Sequence, residues 1–118
     1  MFDKYRERRR DALMNINNMH QYLRELSDDF YNMDNYCKSS YVVVMTEIIQ
    51  NYLIRSNHLV LKAYRTLSVK KIENIAGAIQ YMINMLKLYI EHAAVESYTN
   101  SYKDLGSNQS IDNASDNI

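Results

Sequence analysis

The chain has 118 residues, with 14 basic and 14 acidic side chains, no proline, two glycines and one cysteine, Cys37. So little proline and glycine leaves few tight hairpins, which argues against an all-β fold; one cysteine excludes an internal disulfide and a four-cysteine zinc site. Zero net charge gives no bulk attraction to nucleic acid or membrane, and the longest unbroken apolar run, Tyr41 to Met45, is far from the roughly 18 residues a bilayer span needs.

The opening, Met1 to Arg10, is charged and lacks an apolar signal core. The expectation is therefore a single soluble, cytoplasmic domain over 1–105, with a polar tail at 106–118. Stepping alternately three and four residues from Phe2 gives Phe2, Tyr5, Arg9, Ala12, Ile16, Met19, Leu23, Leu26, Phe30 and Met33, nine of ten apolar. Such a heptad seam predicts one continuous helix over 2–33, about 48 Å long at 1.5 Å per residue. A helix so long and one-sided needs partners along its length. Arg9 breaks the seam; a charge there can specify register or partner, or snorkel to solvent from a frayed helix start.

Residues 34–40 are polar and offer Ser39 and Ser40 as N-caps, so the first turn is placed there, with a kinked continuation as the rival. The second predicted helix covers 41–66. Its β-branched opening could pass for a strand, but no other stretch offers a pairing partner. Val42, Met45, Ile49, Tyr52, Ser56, Leu59 and Ala63 keep helical stepping, with Ser56 the one polar member. Val43, Ile54 and Leu61 add apolar surface on another side. That breadth predicts a central helix touching neighbours on two faces.

Ser68 is a cap for the third helix, predicted over 69–103. Val69, Ile72, Ala76, Ile79, Ile83, Leu86, Ile90 and Ala93 form an unbroken seam, widened by Ile75, Met82 and Tyr89. Gly77 inside it predicts a close helix approach, since a mid-helix glycine costs about 1 kcal/mol against alanine. Gly106 is read as the stop, and the Asn- and Ser-rich remainder as a disordered tail.

The expected fold is therefore all-α: an antiparallel three-helix bundle with long, coiled-coil-like helices. Apolar stripes this broad predict self-association, with a dimer as the default. No cofactor or metal is expected. His20, His58 and His92 fall at different heights, and neither a Glu-x-x-His nor a His-Glu-x-x-His spacing occurs. No nucleophile, base and orienting group are spaced for catalysis, so no enzyme is expected. Eleven tyrosines and seven methionines suit an irregular core or an adaptable interface.

Charge layout is the most informative feature. Folding up, down and up would gather Lys4, Arg6, Arg8, Arg9, Arg10, Arg55, Lys62, Arg65, Lys70 and Lys71 at one pole. Four acidic residues, Asp3, Glu7, Asp11 and Glu73, join them, leaving a net of six positive charges. The rest of the chain carries the matching six negative charges. The leading expectation is a non-enzymatic protein–protein interaction module: an oligomeric scaffold, adaptor or inhibitor with a basic and an acidic pole. Arg6, Arg8, Arg9, Arg10, Arg65, Lys70 and Lys71 are its candidate binding residues. The alternative is a small nucleic-acid-associated protein that sets the same residues on phosphates.

Overall fold

The computed structural model describes residues 2–32 and 40–117, with side chains over 2–32 and 43–95. Three helices follow in order: α1 (Phe2–Tyr31), α2 (Ser40–Arg65) and α3 (Val69–Asn117). No strand occurs among the described residues. The β-branched run 42–44 lies within α2, because a strand without a pairing partner would leave its ladder groups unmet. Met33, Cys37 and the expected first turn with its Ser39 cap lie outside the described residues.

The turn between α2 and α3 is short and well capped. Thr66 N donates to Ala63 O at 3.4 Å, closing the last turn of α2. Ser68 Oγ then accepts from Lys71 N at 3.3 Å, and Ser68 O accepts from Ile72 N at 3.1 Å. This is the N-cap geometry expected of Ser68, with the hydroxyl meeting an amide three residues on.

The chain doubles back twice, so α1 and α3 run parallel and α2 antiparallel to both. Arg8 meets Glu73, and Tyr22 meets Lys87. In both pairs the α3 partner stands 65 residues further on, so these two helices keep one register over four turns. Against α2 the order reverses: Arg9 reaches Thr66, while His20 reaches Ser56.

The core lies along the axis of this three-helix body. Ile16 and Leu23 from α1, Ile49 and Ala63 from α2, and Ile72, Ile79 and Leu86 from α3 are wholly shielded from solvent. Two buried hydroxyls sit among them. Ser27 donates to its own helix at Leu23 O, 2.8 Å away, and Ser56 meets His20. No buried side-chain polar atom among the described residues lacks a partner, as close packing requires.

Three expectations need correction. α2 is not the central helix: α1 packs most extensively on α3, and Val43, Ile54 and Leu61 of α2 are exposed. A parallel pair in constant register buries a continuous seam, leaving α2 only one face to contribute. Gly77 marks no close approach within the chain, since a Cβ built there would meet nothing within 4 Å. Finally, α3 does not stop at Gly106 but continues to Asn117. Without proline nothing bars the helix, and one glycine costs only about 1 kcal/mol. By the register with α1, α3 extends about 30 Å past the level of Tyr31. The molecule is accordingly a rod with extents of 82 × 21 × 18 Å.

Candidate interaction surface at the basic pole

The first turns of α1 bring their arginines to the end of the rod where α2 finishes and α3 begins. Helical spacing divides them between two sides. Arg6, Arg9 and Arg10 share the face turned to the end of α2, as residues three and four apart do. With Tyr5, Met14, Tyr64 and Leu67 they line an open cleft of about 400 Å³. Arg8 falls on the other side, toward α3, and faces a smaller cleft of about 290 Å³ with Asp11 and Glu73.

Arg9 is committed to the fold. Its Nε donates to Thr66 O at 3.2 Å and its Nη2 to Tyr64 O at 3.0 Å. The last carbonyls of a helix have no partner within it, and a cation there also meets the negative end of the helix dipole. Arg9 therefore caps α2, half-buried at the one polar position of the α1 seam. Neither a free register charge nor a snorkelling side chain describes it. Tyr5 supports the same turn by donating its hydroxyl to Leu67 O, and Asn17 donates its amide to the Tyr64 hydroxyl.

The other candidate residues reach solvent. Arg6, Arg10, Arg65, Lys70 and Lys71 are exposed. Arg8 pairs with Glu73 at 3.5 Å, with both side chains more than half exposed, a contact that costs little to exchange for another partner. Arg10 lies 3.9 Å from Asp11 on its own helix. Lys70 and Lys71 stand in the first turn of α3, which has no acidic residue. The parallel pairing also points the N-termini of α1 and α3 the same way, adding two positive dipole ends to this pole. Arg55, grouped with the pole by sequence, is elsewhere. It neighbours Ser56, which meets His20, about three helical turns along α1 from Arg9.

Opposite this pole the charge reverses. Glu25, Asp28 and Asp29 near the end of α1, Glu47 near the start of α2, and Glu91 on α3 are all exposed at similar heights. Lys87 sits just below this belt, its ammonium 5.0 Å over the Tyr22 ring.

Two polar contacts between the poles carry shifted titrations. His20 Nδ1 lies 2.7 Å from Ser56 Oγ. Burial first, then the nearby Arg24 guanidinium, lowers the His20 pKa from 6.5. Tyr52 is pushed up to about 12, by burial first and then by its hydrogen bond with Tyr89. Sequence reading did not find the Arg9 cap or the His20–Ser56 pair. A signal existed for both, because Arg9 and Ser56 are the polar exceptions in otherwise apolar seams.

His58 and His92 are exposed on α2 and α3, and among the described residues no three His, Cys, Asp or Glu side chains come together as a cation site would require. No helix there is long and apolar enough to cross a membrane. No protein-family model, curated protein or solved structure matches the chain.

Proposed function

We propose that this chain is a non-enzymatic, self-associating interaction module, an oligomeric scaffold, adaptor or inhibitor that works by occupying surface. One observation carries the reading: a chain of zero net charge folds with a basic cleft at one end and an acidic belt toward the other. Opposite poles on a rigid rod steer and orient an approaching partner of complementary charge. The cleft suits an acidic peptide segment bearing apolar side chains, because Arg6 and Arg10 offer charge while Met14 and Leu67 offer apolar contact. Arg8, Arg65, Lys70 and Lys71 extend the positive field around it. Arg9 contributes shape and charge but keeps its bonds to α2.

Light scattering across protein concentration and salt tests self-association, with larger particles expected at low salt and smaller ones at high salt. A labelled glutamate-rich peptide containing leucine tests the cleft, with duplex DNA and RNA run beside it. Tighter binding of nucleic acid than of peptide, falling steeply with salt, would shift the reading to phosphate contact. A monomer under all conditions that holds none of these ligands would sink it.

A further inference from the structure

α2 carries a second heptad line on the side away from the core. Val43, Glu47, Gln50, Ile54, Asn57, Leu61 and Tyr64 step by four and three residues in turn, and all are exposed. The apolar members stay open to solvent at 67% for Val43, 59% for Ile54, 49% for Leu61 and 47% for Tyr64. Tyr64 also reaches α1, its hydroxyl accepting from Asn17, while Val43, Ile54 and Leu61 have no apolar neighbour that covers them.

The line is close to a palindrome centred on Ile54. Reversed on itself, it sets Val43 opposite Tyr64, Gln50 opposite Asn57, and Ile54 opposite Ile54. A two-fold axis crossing α2 at Ile54 brings each of these pairs to the same height when two copies of the helix lie antiparallel. Gln50 and Asn57 are both amides, each able to donate and accept, so facing one another they satisfy both. Glu47 falls opposite Leu61. On the same flank of α2 as Glu47, His58 and Arg65 lie about one turn to either side of Leu61, within reach of that carboxylate. A parallel pair would instead set Glu47 on Glu47, an arrangement that like charges oppose.

The rest of the rod points the same way. Centring the axis at Ile54 brings the inner edge of one copy's basic pole, Lys62 and Arg65, within about one helical turn of the height of Glu47, Asp28 and Asp29 of the other. We infer that a second copy of this chain docks antiparallel on the outer face of α2, with Ile54 on the two-fold axis. This rests on the self-association proposed above and assigns its face, orientation and register. One helix pair buries less than the usual 800 Å² or so per partner, so the dimer is weak and salt-sensitive.

The full chain carrying Ile54→Cys in a Cys37→Ser background tests the register. Mild oxidation should link it into a covalent dimer, because only a residue near the axis meets its own copy within disulfide reach. Glu47→Cys alone should not link, whereas Glu47→Cys with Leu61→Cys should. In sedimentation, Ile54→Glu should weaken the dimer at least ~100-fold with unchanged helical circular dichroism, about 3 kcal/mol by the tenfold-per-1.4 conversion. Glu47→Arg should weaken it too, and Arg65→Glu added to that variant should restore it. Lack of an Ile54 cross-link, or a dimer untouched by Ile54→Glu, overturns this face while leaving self-association standing. A wild-type chain that never associates overturns both.

Discussion

Arg9 and His20 show how a polar side chain is held at the edge of an apolar core. Each is half-buried, and each faces a group on α2 that needs a partner. Replacing Arg9 with alanine would leave the Tyr64 and Thr66 carbonyls to water and remove a cation from the end of α2. The expected loss is about 1–2 kcal/mol, after discount for partial exposure. Arg10→Ala, on the exposed side of the same turn, should change stability by less than about 0.5 kcal/mol. Urea denaturation of the two variants checks the contrast. For His20 the sign follows from its lowered pKa. The unfolded chain takes up the proton near 6.5, and the folded chain only at lower pH. The stabilising contribution of the neutral ring is therefore complete above pH 6.5 and is lost as pH falls through the lowered folded value. Thermal unfolding between pH 7.5 and 5 should show this decline, and His20→Gln should flatten it.

At the scale of elements, α3 was the most legible. All eight seam positions read from its sequence are buried or half-buried. α1 was legible in its middle, where Ile16, Leu23 and Phe30 are buried, but not at its start, where Phe2 is 80% exposed. The register explains this: 65 residues on from Phe2 lies Leu67, before α3 begins, so no helix stands beside it. Leu13, Ser27 and Val60 are buried beside the predicted seams, because a straight helix drifts about 20° per heptad from a strict seven-residue repeat. Gly77 yields an element-scale prediction. Its added Cβ meets open space and its φ is not positive, so Gly77→Ala should raise α3 stability by about 0.5–1 kcal/mol. A fall in melting temperature instead would mean that something packs on Gly77 in solution.

For the molecule as a whole, the sequence supplied the charges and the folding path decided which of them meet. Ten basic residues were expected at one pole; the structure keeps most of them there, moves Arg55 toward mid-rod and ties Arg9 into α2. The pole's exposed positive charge therefore resides in Lys4, Arg6, Arg8, Arg10, Lys62, Arg65, Lys70 and Lys71, with Arg8 paired to Glu73 and Arg10 beside Asp11. Changing Arg6, Arg8 and Arg10 together to glutamine should weaken association at low salt. It should have little effect near 1 M salt, where charges more than about 3 Å apart are already screened. Sedimentation at both salt concentrations distinguishes that result from general loss of packing, which would act equally at each.

Helix number, helix identity and the inward stripe of α3 followed from sequence alone, because apolar spacing near 3.6 residues and a lack of breakers are local properties of a chain. The choice of α1 rather than α2 as the main partner of α3 was not local. It depended on two parallel seams finding one register, which left the second apolar line of α2 facing out. The task of each exceptional polar residue was settled by the same packing, since a side chain's partner is whatever the neighbouring helix places opposite it.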